Sequence, residues 1–226
     1  FTENLTNGGN YIRVIENSKL DIASNLDINL TSNILHSLSP SVYGEVIGFG
    51  AYGTNNGAPT INAKDVKIKV EAGAADHYNG PSGMMIHDGA NYFGENIDIN
   101  LITKSTTERK DVIGLDFGTN DEYLVGIPSN TVMNVKDVNI KIEDNQVVIP
   151  AGGDQNILIG LLQYGEKNQT SSFTSTGNLN IEIDDKANKV PYHTSAGIIV
   201  AGDGAAKVTL NNSNIKIKSK ADNDYY

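Results

Sequence analysis

Apolar and polar residues alternate in six short segments of the chain, and Leu, Val or Ile occupies one parity in each. Alternation with a period of two residues predicts β-strands, and Ile and Val favour that conformation. The central isoleucines of the segments are spaced 40, 31, 41, 41 and 36 residues apart. They are Ile28, Ile68, Ile99, Ile140, Ile181 and Ile217.

A second pattern precedes five of these segments, namely a glycine, a short run that is mostly apolar and a further glycine. The five copies are GFGAYG, GMMIHDG, GLDFG, GLLQYG and GIIVAG. Their lead glycines are Gly48, Gly83, Gly114, Gly160 and Gly197. Two interleaved series with similar spacing indicate a structural repeat, in which Asn-rich and Gly-rich turns separate short strands.

Repeats of short strands predict an all-β fold, a right-handed parallel β-helix, because stacked repeats can bury apolar faces that one repeat cannot. We expect about six coils of three short strands, with the first and last coils incomplete. Residues 1–226 would form one elongated segment. Long loops would leave one corner of the coil, at about residues 31–43, 71–82, 102–112, 143–156 and 184–196.

Stacking the segments in register places two columns of side chains on the outside. The second positions are Asp27, Lys67, Asp98, Asn139, Asn180 and Lys216, and the fourth are Asn29, Lys69, Asn100, Lys141, Glu182 and Lys218. No like charges are adjacent in either column, which favours this register. If Ile47, Phe49 and Ala51 face inward, the lead glycines are expected to face outward.

Composition narrows the possible partners. The 226 residues include 27 acidic and 17 basic side chains, for a formal charge of −10. This charge argues against nucleic acid and anionic membranes as partners. The absence of cysteine excludes disulfides and thiolate chemistry. No apolar run approaches the roughly 20 residues of a membrane helix.

The first residues, FTENLTNGGN, and the last, KADNDYY, resemble the interior of a longer chain. We therefore expect the 226 residues to be a section of a longer protein.

The Ile/Val ladders, the abundance of Asn, Gly, Thr and Ser, and the absence of cysteine resemble the β-helical passenger region of Gram-negative type V autotransporters. The resemblance covers essentially the whole chain, through architecture and composition. It implies an extracellular rod on the bacterial surface, secreted through an outer-membrane barrel. It also implies an adhesin, and hence a possible part in virulence, whose partner is a host or bacterial surface protein or glycan.

Two other functions remain open, a β-helical polysaccharide-degrading enzyme and a passive stalk. Asp184 and Asp185 are adjacent acids, but they follow a strand and are expected to be solvated. A cluster of three or more carboxylates around one groove would favour the enzyme. The four histidines are not in metal-ligand spacing. We expect no catalytic constellation, no metal and no cofactor.

One column of residues is a candidate binding site. Five residues before the lead glycines stand Tyr43, Tyr78, Arg109, Gln155 and Tyr192, and two of the tyrosines have histidine neighbours, His77 and His193. Tyr and Arg are enriched at binding hot spots. The alternative is that these side chains hold the loops against the rod.

Overall fold

The computed structural model describes residues 2–5, 12–32, 46–72, 81–103, 112–118, 130–145, 156–165, 169–186 and 193–219. These residues form fourteen β-strands and no helix. In chain order the strands are β1 (Thr2–Leu5), β2 (Ile12–Ile15), β3 (Lys19–Ser32), β4 (Ile47–Tyr52), β5 (Thr60–Ala72), β6 (Ser82–His87), β7 (Asn91–Thr103), β8 (Val112–Gly118), β9 (Asn130–Val135), β10 (Asp137–Asp144), β11 (Asn156–Tyr164), β12 (Thr170–Asp185), β13 (His193–Ala201) and β14 (Ala205–Ser219).

The strands make two parallel sheets. The long sheet has the order β1-β3-β5-β7-β10-β12-β14, and β9 lies between β7 and β12 alongside this path. The short sheet has the order β13-β11-β8-β6-β4-β2. Each short strand is followed in the chain by a strand of the long sheet, and we call such a pair a layer. Successive layers stack on one another, so the prediction of an all-β parallel solenoid is confirmed.

Two details of the predicted coil differ from the structure. The second and third strands predicted for each coil run together as one bent strand, for example Thr60–Ala72, and remain separate only in β9 and β10 among the described layers. The bend is marked by a one-residue shift in the buried parity between Ala63 and Val66, where Lys64 is exposed and Asp65 is half-buried, and the strand stays paired in the sheet on both sides of it. The handedness stays a prediction.

The number of coils is also lower than predicted. The described strands form six layers, and the solenoid comprises about 4 turns, slightly fewer than the about six coils expected. Four layers run from the short strand to the end of the long strand without a gap in the described residues. These are residues 12–32, 46–72, 81–103 and 193–219.

Apolar columns between the two sheets form the core. Ile140 and Ile181 are register partners in adjacent layers and each is 2% exposed, as the alternating pattern predicts. Aromatic rings fill the wider part of the interior. Phe49 meets Tyr92 edge-on at 6.4 Å, and Phe117 meets Phe173 at 6.2 Å. Burial of these columns is the main favourable contribution to folding of the stack.

The lead glycines face inward, so the prediction that they face outward is wrong. A Cβ atom added to Gly114 would lie 2.3 Å from Cγ2 of Ile140 and 2.6 Å from the carbonyl oxygen of Gly160. Gly48, Gly83 and Gly160 meet the central isoleucine of their own layer in the same way, and Gly197 meets Ile215. Glycine recurs because the two sheets approach closely where the isoleucine column packs.

The register of the last layer differs by two residues from the prediction. Ile181 pairs with Ile215, not with Ile217, and Glu182 pairs with Lys216. The outward columns therefore end at Asn214 and Lys216. A shift of two residues keeps every side chain on its own face, so an alternating segment does not reveal it.

The last layer is also the most exposed of the described layers. Val200, Ile215 and Ile217 are 49%, 43% and 39% exposed, whereas Ile181 in the preceding layer is 2% exposed. β13 and β14 are the edge strands of the two sheets at this end. Their apolar side chains have a neighbouring layer on one side only, and this accounts for the exposure.

Candidate functional site

The predicted binding residues lie almost entirely outside the described part of the chain. Tyr43, Tyr78, Arg109, Gln155, Tyr192 and His77 fall between the described ranges. The backbone of His193 begins β13 and is the register partner of Asn156, but its side chain is likewise outside the description. The proposed column therefore stays a prediction.

The strand ends that flank these residues are stacked in register. At the ends of the long strands, Ala72, Thr103, Asp144, Asp185 and Ser219 form one column. At the starts of the short strands, Ile47, Ser82, Ile113, Ile159 and Ala196 form another. The connecting segments thus leave and return along one side of the solenoid, which we call the connection edge. From the sequence we expect the long loops to leave one corner of the coil, because the distance from a central isoleucine to the next lead glycine varies.

One connection of comparable length lies elsewhere. Residues 119–129 separate β8 from β9 and so connect a short strand to the long sheet within a layer. The prediction placed all variable segments between a long strand and the next lead glycine. It missed this insertion, although the distance from Gly114 to Ile140 is 26 residues, compared with 20 from Gly48 to Ile68.

Two buried carboxylates lie beside each other at the connection edge. Asp144 and Asp185 are register partners and are 0% and 1% exposed. The hydroxyl of Thr103 donates a hydrogen bond to Asp144, and that of Ser219 donates to Asp185 at 3.0 Å. The expectation that Asp185 is solvated is wrong, because its position at the inward parity takes it into the interior. Hydrogen bonds compensate part of the cost of burying such groups.

The outward acids next to them are paired with a lysine. Nζ of Lys186 lies 2.8 Å from Oε1 of Glu143 and 3.6 Å from Oδ2 of Asp184. The hydrogen bond from Lys186, followed by that from Asn145, lowers the pKa of Glu143 below its ordinary value. The hydrogen bond to Glu143 correspondingly raises the pKa of Lys186. One cation therefore neutralises two stacked carboxylates on the outer face.

The outer face of the long sheet carries a groove between its two outward columns. The groove has a volume of about 710 Å³ and extends from the layer of Asp27 to that of Lys216. Along one column, Lys67 lies between Asp27 and Asp98. In the other column, Nζ of Lys216 lies 3.6 Å from Oε1 of Glu182. The three carboxylates of the groove therefore alternate with lysines. They are not gathered into the acidic cluster that would favour an enzyme.

Side-chain amides continue this surface towards the bend of the long strands. Nδ2 of Asn96 donates to Oδ1 of Asp65 at 2.6 Å, and Asn180 donates to Asn139 at 2.8 Å. Asp137 accepts bonds from the backbone and side-chain nitrogens of Asn178 at 2.8 and 3.0 Å. The backbone bond is the larger cause of the lowered pKa of Asp137. These bonds link adjacent layers and hold the polar groups in fixed positions.

A cluster of aromatic and charged groups lies on the outer face of the short sheet. Nε2 of His87 is 3.0 Å from Oδ1 of Asp116, and the ring of Tyr52 meets His87 edge-on at 5.9 Å. The Tyr52 hydroxyl donates to Sδ of Met85 at 3.3 Å. The Arg13 guanidinium lies 5.4 Å from the centre of the Tyr52 ring, within the range of a cation–π contact.

The pair of His87 and Asp116 was not predicted from the sequence. The offsets from the lead glycines carry the signal, because His87 stands four residues after Gly83 and Asp116 two residues after Gly114. Stacked strands make these positions diagonal neighbours. A His–Asp pair can perform acid–base chemistry. Here both residues are buried, with exposed fractions of 3% for His87 and 6% for Asp116, which limits access by a polymer.

Other ligand classes have little support among the described residues. Within the described ranges, no group of three or more His, Asp or Glu residues is placed to hold a metal ion. The same part of the chain contains no helix that is long and apolar enough to cross a membrane.

Comparisons with known proteins identify no family for this chain. No family model, curated protein or solved structure matches the chain.

Proposed function

We propose that this chain is a segment of a secreted surface adhesin, which binds a host or bacterial surface partner along the connection edge. The observation that carries the proposal is the in-register stacking of the strand ends at that edge. Five connecting segments are anchored there at intervals of one layer, about 4.8 Å each. A rigid scaffold that presents several segments side by side is a common basis for recognition.

The sequence of the connecting segments supports this function. The five intervals differ in length and contain Tyr43, Tyr78, Arg109 and Tyr192. Aromatic residues and arginine contribute strongly to binding when they are grouped. The strands, by contrast, use their backbone groups to hold neighbouring layers together, so specificity is expected to reside between them.

The setting proposed for the segment is the extracellular side of a bacterial outer membrane. The parallel solenoid, the absence of cysteine and the net charge of −10 are consistent with a secreted rod. They also fit the resemblance to autotransporter passengers. Adhesion follows from this resemblance by analogy with the fold class, and the partner would be a protein or a glycan.

The experiment that tests the proposal is adhesion of the intact chain to host and bacterial cells. The segments 33–45, 73–80, 104–111, 146–155 and 187–192 would be replaced, one at a time, by short Gly-Asn linkers. We expect at least one replacement to reduce cell binding with little change in thermal stability. Replacement of residues 119–129, which stand between β8 and β9 and not between a long strand and the next short strand, is the matched control and should leave binding intact.

A uniform result would contradict the proposed binding edge. If the parent binds cells and all five replacements bind equally well, recognition lies elsewhere on the chain. If the parent itself binds no cells, the segment is better explained as a passive stalk. Tyr78→Ala and Tyr192→Ala then refine a positive result, because they remove candidate contacts without shortening the chain.

A polysaccharide-degrading enzyme is the second candidate, and the contact of His87 with Asp116 is the observation that favours it. The test is incubation of the protein with acidic and neutral polysaccharides, followed by measurement of new reducing ends. Activity that disappears in Asp116→Asn, with unchanged melting, would support the enzyme. The burial of both residues makes us favour binding over catalysis.

A further inference from the structure

Phe93 is exposed in the middle of the solenoid. Its side chain is 40% exposed, and the other large apolar residues with comparable exposure in the described part of the chain, Val200, Ile215 and Ile217, all belong to the last layer. Their exposure follows from the missing neighbour on one side. Phe93 lies in β7, between β5 and β9, and has a neighbouring layer on both sides. Its exposure therefore has a different origin, namely its position on the outer face.

Polar side chains flank the ring along the axis of the solenoid. The register partner of Phe93 in the preceding layer is Asn62, and in the following layer it is Asn134. Strand spacing puts each at about 4.8 Å along the column. Beyond Asn62 lies Asp21, whose Oδ1 accepts a hydrogen bond from Nδ2 of Asn62 at 2.7 Å. The exposed ring is thus bordered by an amide on either side.

The acid in this column is held in place and remains ionised. Nζ of Lys19 lies 2.9 Å from Oδ2 of Asp21. The hydrogen bond from Lys19, followed by that from Asn62, lowers the pKa of Asp21 below its ordinary value. Asp21 is more than half exposed, so its carboxylate can still accept hydrogen bonds from a ligand.

A shallow hollow runs beside the ring. It has a volume of about 470 Å³, and its lining includes Asp21, Asn62, Phe93 and the small residues Ala23, Ala63 and Gly94. Ile22, Lys64 and Glu95 complete its lining, and because Lys19 is paired with Asp21, the two acids of the hollow are matched by two lysines. The hollow lies near the bend of the long strands and away from the connection edge.

We propose that this hollow is a carbohydrate-binding subsite that takes one pyranose ring of a neutral glycan. The apolar face of the sugar would lie on the ring of Phe93. Its hydroxyl groups would contact Asn62 and Asn134 on either side of the ring, and the next sugar unit of the glycan would reach Asp21, which lies one strand beyond Asn62. Amides offer both donors and an acceptor, and a carboxylate accepts bonds from two adjacent hydroxyls. The balanced charge of the border favours a neutral sugar over an acidic one.

Other occupants fit this surface less well. A protein partner is expected to need a larger apolar area than one aromatic ring, since specific interfaces bury about 800 Å² on each side. A pyranose needs only one stacking face and a few hydrogen bonds in fixed positions. The rigid sheet supplies these positions before binding, which reduces the entropic cost.

The proposal is tested with the full chain and a panel of immobilised neutral oligosaccharides of glucose, galactose, mannose and N-acetylglucosamine. Saturation-transfer NMR would then report which protons of a retained oligosaccharide contact the protein. We expect Phe93→Ala to weaken binding by about tenfold or more, given the apolar area that stacking covers. Phe93→Tyr should retain binding, because its ring presents the same face. Val200→Ala is the control, since it removes an equally exposed apolar side chain elsewhere.

Asn62→Ala provides a second variant that does not alter the aromatic ring. It should weaken binding through loss of hydrogen bonds, while thermal melting shows that the solenoid is intact. The proposal is overturned if no oligosaccharide is retained, or if Phe93→Ala binds the retained oligosaccharide as tightly as the parent.

This subsite is independent of the proposed connection edge. If the chain binds cells through the connecting segments but retains no sugar, the subsite fails and the adhesin proposal stands. If Phe93 controls sugar binding while all five segment replacements leave cell binding unchanged, the subsite stands and the binding edge fails.

Discussion

A Cβ atom on Gly114 would lie 2.3 Å from Cγ2 of Ile140, a separation that packed side chains do not adopt. The glycine belongs to the short sheet and the isoleucine to the long sheet of the same layer. The same contact recurs at all five lead glycines. It explains why two sequence patterns, one of glycines and one of isoleucines, repeat with a common order along the chain.

Gly114→Ala is expected to destabilise the protein by about 1–3 kcal/mol or more, because overpacking forces the two sheets apart. The matched control is Gly165→Ala, where the nearest atom would lie at 3.4 Å from the added Cβ. That change should alter the free energy of unfolding by less than about 0.5 kcal/mol. Chemical denaturation measures the free energy of unfolding of both variants. Equal effects would show that the sheets are not in close contact at Gly114.

Truncating an isoleucine of the central column should lower the free energy of unfolding by an amount that depends on the position of its layer in the stack. Ile181→Ala removes a side chain that is 2% exposed, and large-to-small changes at such sites cost about 2–5 kcal/mol. Ile215→Ala removes its register partner, which is 43% exposed, and should cost about 1 kcal/mol. Thermal and denaturant unfolding of the two variants provide the comparison. A larger loss for Ile215→Ala would contradict the observed exposure.

The pKa of Glu143 should depend on Lys186. In the folded protein this pKa is lowered, so ionised Glu143 stabilises the fold above the pKa of the unfolded chain, and this contribution disappears as the pH falls through the folded-state value. Lys186→Met should raise the pKa of Glu143 towards the ordinary value of a glutamate, because it removes the largest cause of the lowering. Carboxyl carbon NMR titration measures the change. Lys141→Met is the control and should have a smaller effect.

The register of the last layer can be tested by cross-linking, because the chain has no cysteine of its own. Glu182→Cys with Lys216→Cys places the thiols on register partners, and we expect a disulfide under mild oxidation. Glu182→Cys with Lys218→Cys represents the register read from the sequence. Its Cα atoms would be about 8 Å apart, beyond the usual range for a disulfide. Preferential cross-linking of the second pair would restore the sequence-based alignment.

Much of the fold follows from the sequence because a solenoid repeats a local pattern. Alternation places Ile140 and Ile181 in the core, and the spacing of the two patterns gives the parallel stack. The position of the connecting segments follows from the variable distance between Ile and the next lead glycine. These features depend on periodicity and chain length, which a sequence displays directly.

The errors arose where periodicity leaves more than one solution. Ile215 and Ile217 share a face, so alternation alone cannot choose between them. The direction of Gly114 depends on how closely two sheets approach, and that distance is set by packing of side chains far apart in sequence. The merging of two predicted strands into Thr60–Ala72 depends on the bend at Lys64, which carries no glycine or proline signal.

The candidate sites were harder to predict than the fold. The pair of His87 and Asp116 and the flanking of Phe93 by Asn62 both require the register of neighbouring layers. In the sequence their members are separated by about 30 residues and belong to no recognised motif. Binding through Tyr78 or Tyr192 stays a prediction, since those residues lie outside the described ranges.

All the surfaces inferred for this molecule depend on one structural claim, that successive layers are stacked parallel and in register. A disulfide between Asn139→Cys and Asn180→Cys tests it most directly, since these outward residues are register partners in central layers. Neighbouring strands lie about 4.8 Å apart, within the Cα separation that a disulfide accepts. We predict nearly complete cross-linking of this pair and little for Asn139→Cys with Glu182→Cys, whose partner is two residues out of register. Absent cross-linking of the first pair, or equal cross-linking of both, would contradict the stack.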